Sequence, residues 1–151
     1  MKRSKGFTLV EILIVVIILG ILAAIVIPQF TEASNDARES ALASDLQTLR
    51  SQLELYKVQH LEMYPDVSAP GVLDTVNFIA RLTGRTDLDS TLNAAGVFGP
   101  YLHAFPTNPF VPLNADTVEF GIAAPGGGTT GWYWNTDTGK ISPNDAAHAG
   151  M

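Results

Sequence analysis

The sequence contains no cysteine, and its 151 residues include only nine lysines and arginines against fifteen aspartates and glutamates. The lack of cysteine excludes a disulfide framework and thiolate chemistry, and it leaves the redox compartment undecided. The formal net charge of −6 argues against nucleic-acid binding, because neutralising phosphates requires clustered lysine and arginine. Nucleic acid is therefore not among the predicted partners.

Motifs of catalysis and metal binding are also missing. Gly126–Gly128 lacks the lysine and the spacing of a phosphate-binding loop, and we interpret it as a flexible turn. Asp87 and Asp89 resemble the start of a calcium loop, but its glycine and closing glutamate are absent, which favours a solvated turn or a helix cap. No Gly-x-Ser-x-Gly element is present, so we predict no enzyme activity. The three histidines are too far apart in the sequence for a local metal motif. We therefore predict that they are scattered surface residues: His60, His103 and His148.

One long segment near the N-terminus is apolar. Ile12–Phe30 is nineteen residues without a charge. A helix over residues 7–30 would be about 36 Å long, which is enough to cross a hydrocarbon core of about 30 Å. Three basic residues precede the segment, Lys2, Arg3 and Lys5. They favour a cytoplasmic N-terminus with the rest of the chain outside.

Three interpretations of this segment differ in how they treat one carboxylate. A secretory signal peptide needs a small-residue cleavage site after the apolar run, but Ala23–Ala24 is followed by further apolar residues. A single-span anchor explains the length but not Glu11, because a carboxylate inside a membrane costs roughly 2.5–3.5 kcal/mol and needs a partner. In the third interpretation, cleavage after Gly6 gives Phe7 an α-ammonium group. That group pairs with Glu11 of its own or a neighbouring chain.

The residues GFTLVE at Gly6–Glu11 resemble the processing site of type IV pilins and type II secretion pseudopilins. The basic leader, the glycine, the phenylalanine and the glutamate are all in register, and Pro28 falls at that family's usual helix-breaking position. The resemblance implies that prepilin peptidase cleaves between Gly6 and Phe7 and N-methylates Phe7. It also implies that Glu11 acts in filament assembly.

The apolar helix is expected to continue into an amphipathic half. Gly20 and Pro28 are its weak points, where we expect a hinge, and the resemblance suggests that this stretch unwinds when subunits pack. Apolar residues then recur at steps of three and four, on one helix face: Leu42, Leu46, Leu49, Leu53 and Tyr56. The pattern predicts a helix from about Thr8 to Gln59 whose leucine face packs against a C-terminal domain.

The remainder predicts a small globular domain. Tyr64–Pro65 breaks the helix, and Val72–Thr83 has the spacing of a short helix, followed by a proline-rich ordered loop over residues 86–117. Thr117–Ala123 alternates apolar and polar residues, and Thr136–Gly139 reads as a hairpin turn. An antiparallel sheet of about three strands is therefore expected.

Three aromatic residues lie side by side in the predicted second strand. Because successive side chains of a strand point to opposite faces, Trp132 and Trp134 lie on one face and Tyr133 on the other. We predict that both tryptophans pack on the leucine face. The alternative is an exposed aromatic patch that binds a partner or secreted cargo.

A second, weaker resemblance lies in the globular part. GPYL at Gly99–Leu102, followed by Pro106 and Asn108–Phe110, is similar to the segment before the sheet in the major pseudopilin of type II secretion. The last loop of that group usually binds calcium through aspartate and glycine. The ending GWYWNTDTGKISPN does not show that pattern, so no metal site or other cofactor is predicted, and calcium stays an open possibility.

The predicted fold class is α+β and pilin-like, with a long N-terminal helix, transmembrane in its first half, packed on a small C-terminal sheet. The expected organisation is a cleaved leader (1–6), a transmembrane and assembly helix (7–30), its amphipathic half (31–60), a short helix and ordered loop (61–117), the sheet (118–145) and a tail (146–151).

The leading functional hypothesis is a structural subunit of a type II secretion pseudopilus. Its implied partners are prepilin peptidase, copies of itself, related pseudopilins and an inner-membrane assembly platform. It would sit in the bacterial inner membrane, with the N-terminus cytoplasmic and the C-terminal domain periplasmic, before joining a periplasmic filament. The alternatives are a type IV pilus pilin, used in adhesion, motility or DNA uptake, and a membrane-anchored binding domain that does not polymerise.

Overall fold

A computed structural model describes residues 6–151, so the leader residues Lys2, Arg3 and Lys5 lie outside the described part of the chain. The chain divides into two compact units, one ending at Glu39 and one running from Ser40 to Met151. Helix α1, Leu9–Gln59, belongs to both units and contains Pro28. Its observed end at Gln59 confirms the predicted helix.

The second unit is built around the leucine face of α1. Leu42, Leu49 and Tyr56 are fully buried there. The core that they join comprises residues from every later part of the unit: Phe78, Leu82, Leu102, Phe105, Trp132, Trp134 and Ile141. The predicted packing of this helix face against the C-terminal domain is confirmed.

Residues 67–83 differ from the single short helix that was predicted for Val72–Thr83. Strands β1 (Val67–Ala69) and β2 (Val72–Leu73) form an antiparallel hairpin, followed by a 3-10 turn and then α2, Phe78–Thr83. The helical prediction was wrong for its first half. Gly71 adopts φ +79°, which turns the chain back on itself after Ala69 and pairs it as a strand. The apolar residues that suggested a helix there, such as Val76, are largely exposed.

Strands β3 (Val118–Gly121), β4 (Trp132–Asn135) and β5 (Lys140–Pro143) form the three-stranded sheet. The antiparallel β4–β5 hairpin is confirmed. Strand β3 pairs with β4 in parallel, however, so the sheet is mixed and the expectation of an antiparallel sheet was wrong at β3. The cause is the β3–β4 loop (residues 122–131). Its ten residues carry the chain back to the end of the sheet at which β3 begins, so β4 starts there too. A tight hairpin turn would have reversed the strand instead.

Both faces of the sheet are covered. Trp132 and Trp134 are fully buried in the core, as predicted, and Tyr133 on the opposite face is only 4% exposed. The alternative of an exposed aromatic patch is therefore wrong. At Gly126–Gly128, where a flexible turn is predicted, the N–H groups of Gly126 and Gly127 donate to the side chain of Asn144.

Buried polar groups anchor the two tryptophans. The indole N–H of Trp134 donates to Asp66 Oδ2 at 2.8 Å, and that of Trp132 donates to the carbonyl oxygen of Pro106 at 2.8 Å. Burial raises the pKa of Asp66, because a desolvated carboxylate is less stable than the neutral acid. Arg81, also buried, donates to the backbone oxygens of Pro65, Asp74 and Ser90. These contacts order the irregular segments that lie between α1 and the sheet.

Candidate functional site

The start of α1 is capped by two residues, Thr8 and Glu11, which hydrogen-bond to each other. The carboxylate Oε2 of Glu11 accepts hydrogen bonds from the backbone N–H and from the hydroxyl of Thr8, each at 2.8 Å. In return, the Thr8 hydroxyl oxygen accepts from the backbone N–H of Glu11 at 3.3 Å. This reciprocal pairing is a capping box, in which a threonine before the helix and a glutamate three residues later satisfy helix donors that have no partner within the helix. Thr8 was not predicted as a site residue, although the sequence contains the T-x-x-E spacing of a capping box.

The predicted cleavage site lies immediately outside this cap. Gly6 and Phe7 are exposed and not helical, and the first bond of the helix runs from the N–H of Ile12 to the carbonyl of Thr8. The Gly6–Phe7 peptide bond is thus free of helical hydrogen bonds. Nothing lies within 4 Å of the position where a side chain would begin at Gly6. A protease would meet an accessible bond at a defined distance from the helix start.

The surface after the cap is apolar on all sides. The large hydrophobic residues from Phe7 to Phe30 are between 42% and 83% exposed. Helix α1 is long and apolar enough to cross a membrane, with a mean hydropathy of 3.3 over its most apolar window, none of which is buried. So much exposed apolar surface requires lipid or other helices to cover it. Glu11 is the one charged residue within this stretch.

The predicted hinge residues lie inside an uninterrupted helix in the single chain. Both Gly20 and Pro28 belong to α1. A side chain added at Gly20 would meet nothing within 4 Å, so the glycine leaves a gap on the helix surface that a neighbour could fill. Pro28 has no N–H to donate to the preceding turn, which makes this region the weakest part of the helical hydrogen-bond ladder.

His60 corrects the prediction that the histidines are scattered surface residues. It is fully buried, stacks on the ring of Tyr56, and hydrogen-bonds the Tyr56 carbonyl through Nδ1 and the Thr86 hydroxyl through Nε2. Burial lowers the pKa of His60. Tyr101 of the GPYL segment packs against the same ring and donates to Gln59 at 2.6 Å, which shows that this segment buttresses the end of α1.

The other candidate sites do not come together. His103 is exposed, and His148 lies beside Asp145, with Nδ1 and Oδ1 2.5 Å apart. Asp89 accepts from the backbone N–H of Thr91, which is the contact of a turn. Within residues 6–151, no three histidine, aspartate or glutamate side chains gather in a way that could hold a metal ion.

Comparison with known proteins agrees with the geometry of the N-terminus. A family model described as the prokaryotic N-terminal methylation motif matches residues 1–27, which include Gly6, Phe7 and Glu11. Motif and fold together define a class: α+β proteins of pilin-like architecture with a prepilin-type N-terminus. No solved structure matches the chain.

Within that class the chain is similar to type II secretion system core protein G. It is 41% identical to the protein of Dickeya chrysanthemi over 64 residues, which cover 42% of this chain and 41% of the relative. Against the protein of Pseudomonas aeruginosa it is 39% identical over 64 residues, 42% of this chain and 44% of the relative. Against that of Klebsiella pneumoniae it is 40% identical over 65 residues, 43% and 46% respectively. The matched region thus spans less than half the length of these relatives.

Proposed function

We propose that this chain is a pseudopilin, a structural subunit that polymerises through α1 into the pseudopilus of a type II secretion system. The observation that carries the proposal is the start of α1. There, an exposed Gly6–Phe7 segment precedes the Thr8–Glu11 cap, and the apolar helix that follows is exposed in the isolated chain. The function needs no catalytic group, since the chain's contribution is to pack against its own copies.

The first stage of the proposed function is membrane insertion. The basic residues of the leader keep the N-terminus on the cytoplasmic side, and the apolar half of α1 spans the inner membrane. The globular unit from Ser40 onward then lies in the periplasm. Prepilin peptidase cuts between Gly6 and Phe7 and methylates the new terminal nitrogen of Phe7.

The second stage is assembly, in which Glu11 gains a second partner. Both side-chain contacts with Thr8 use Oε2 of Glu11, so Oε1 remains to accept from the ammonium group of Phe7 in a neighbouring subunit. An ion pair at this depth in a membrane is strong, because the surrounding medium screens it weakly. It would fix the stagger between adjacent helices. Related pseudopilins and an inner-membrane assembly platform are the further partners.

Similarity to core protein G supports the secretion pseudopilus over a surface type IV pilus. The match of residues 1–27 to the prokaryotic N-terminal methylation motif supports a processed, polymerising subunit over a tethered domain that remains a monomer.

The test is to replace Glu11 by alanine in a strain that depends on this chain for secretion. The variant should insert in the membrane and lose its leader, yet form no filament and export no cargo. Glu32→Ala is the matched control, because Glu32 is an exposed glutamate on the same helix outside the apolar stretch. Normal filaments with Glu11→Ala would overturn the proposal.

A further inference from the structure

One side chain fastens the β3–β4 loop to the sheet. Asn144, which follows β5 directly, is fully buried. Its Oδ1 accepts from the N–H of Gly126 at 2.9 Å and of Gly127 at 3.1 Å. Its Nδ2 donates to Glu119 Oε2 and to the hydroxyl of Thr130, each at 2.8 Å. We call these four contacts the Asn144 clasp.

The clasp uses the whole hydrogen-bonding capacity of the amide, which has two acceptor positions and two donor hydrogens. The orientation of the amide follows from its partners. Reversing it would turn the NH₂ group toward two backbone N–H donors and the oxygen toward a carboxylate. The backbone of Asn144 adds two contacts, since its N–H donates to Gly131 and its carbonyl accepts from Gly128 at 2.6 Å.

The clasp lies on the sheet face that carries Tyr133. Side chains alternate along a strand, and the register pairs Glu119 with Tyr133 and Tyr133 with Ser142, so Asn144 shares their face. Tyr133 on this face is 4% exposed.

The residues around the clasp do not fit calcium, the ion that the family resemblance would suggest for the last loop. Calcium takes six to eight oxygen ligands, usually with several carboxylates. Glu119 supplies the one carboxylate among the groups bonded to the Asn144 side chain, and its Oε2 already accepts from the NH₂ group of Asn144. The nearby carboxylate of Asp145 already accepts from Asn108 and His148.

We propose that the β3–β4 loop of this chain is closed by Asn144 and not by a calcium ion. The side-chain amide of Asn144 holds the β3–β4 loop closed over the sheet, and the globular unit keeps that loop ordered without a divalent cation. Because the amide makes these contacts itself, loop closure does not depend on the metal content of the periplasm. This inference concerns the fold of the globular unit and does not depend on whether the chain polymerises.

The test is amide hydrogen exchange on the full chain in detergent, in EDTA and in calcium chloride. In the wild-type chain the loop amides should exchange at the same rate in both solutions, and the unfolding midpoint read from Trp132 and Trp134 fluorescence should not move. Asn144→Ala should speed exchange in residues 126–128 by about tenfold, since it removes the acceptor of two of these amides. Slower exchange or a higher midpoint with calcium would overturn the proposal.

Asn93→Ala is the matched control, because it removes an asparagine that caps a different loop through the N–H of Ala95. It should leave residues 126–128 unchanged. Unchanged exchange of the loop in Asn144→Ala would refute the clasp. Should Asn144→Ala fail to fold, Glu119→Ala removes only one of the four contacts. Faster loop exchange in that variant supports the proposal, and wild-type exchange contradicts it.

Discussion

The carboxylate of Glu11 lies 2.8 Å from both the backbone nitrogen and the hydroxyl of Thr8, so the one charge within the apolar stretch caps its own helix. This contact gives the precursor a satisfied glutamate before any neighbour is present. In the proposed assembly, the ion pair with Phe7 would use Oε1 and add to these hydrogen bonds, rather than relieve a bare charge.

Removing the Thr8 hydroxyl should loosen the start of α1. Thr8→Ala takes away one half of the capping box, and loss of such a cap costs about 0.5–2 kcal/mol of helix stability. Amide exchange at residues 9–12 in detergent should accelerate accordingly. Thr48→Ala is the control, because the Thr48 hydroxyl bonds to the Ser44 carbonyl within α1 and plays no part in the cap. Equal exchange at residues 9–12 in Thr8→Ala and wild type would show that the cap does not hold the helix start.

Blocking the cleavage site should trap the precursor. Gly6→Leu places a bulky side chain next to the bond that the peptidase must reach, where the structure leaves open space. The purified chain should then keep its leader, which intact-mass measurement detects directly. Gly20→Ala, a glycine change within the apolar helix, should be processed normally. Removal of the leader from Gly6→Leu would mean that cleavage occurs elsewhere.

The hinge is tested by the assembled filament rather than by the single chain. Pro28 cannot donate a helical hydrogen bond, and glycine, here Gly20, has the lowest helix propensity of any residue except proline. The segment between them should therefore lose helical order when subunits pack. A filament map would show this as a non-helical stretch. Continuous helix across residues 20–28 in the filament would disprove the hinge.

The stability of the globular unit should depend on pH through the ionisation of Asp66. A buried acid whose pKa is raised binds protons more readily in the folded state, so stability falls as the pH rises from the unfolded-state pKa, about 3.9, through the raised folded value. Asp66→Asn keeps an acceptor for the Trp134 indole and removes the charge. It should therefore increase stability at pH 7 and flatten the pH dependence, as measured by urea unfolding with tryptophan fluorescence.

The companion variant separates charge from hydrogen bonding. Asp66→Ala leaves the buried Trp134 N–H without an acceptor and should cost about 1–3 kcal/mol. If Asp66→Asn destabilises the chain as much as Asp66→Ala at pH 7, the cost of the buried charge has been misjudged.

Replacing the buried guanidinium of Arg81 should weaken the links between segments. Arg81 donates to three backbone oxygens and pairs with the Asp74 carboxylate at 2.6 Å. Lysine cannot reproduce this planar set of donors, so Arg81→Lys should lower the free energy of unfolding by about 1–3 kcal/mol. Arg85→Lys is the control, since Arg85 is exposed and donates to the carbonyl of Gly96. Similar losses in the two variants would show that burial of Arg81 adds nothing.

Local patterns predicted the elements whose causes are local. The leucine face of α1, the end of that helix and the β4–β5 hairpin follow from the spacing of apolar and turn residues. The predicted cleavage site and the predicted role of Glu11 come from a short motif of fixed register, and a family model for that motif matches residues 1–27. Thr8 could have been found in the same way.

Features that depend on distant partners were missed. The burial of His60 requires Thr86 and Tyr101, and no local signal shows that these residues return to the end of α1. The parallel pairing of β3 likewise depends on the path of the β3–β4 loop, whose Gly126 is held by Asn144 from beyond the end of β5. Strand propensity describes a single strand and says nothing of the direction of its neighbour.

The most direct test of the central claim is the distance between the Glu11 carboxylate and the Phe7 amine of the adjoining subunit, read from a map of the assembled filament. Assembly through this pair predicts a separation within about 4 Å in every repeat, with the leader absent from the chain. Glu11 still bonded only to Thr8, with no neighbouring Phe7 amine nearby, would contradict it.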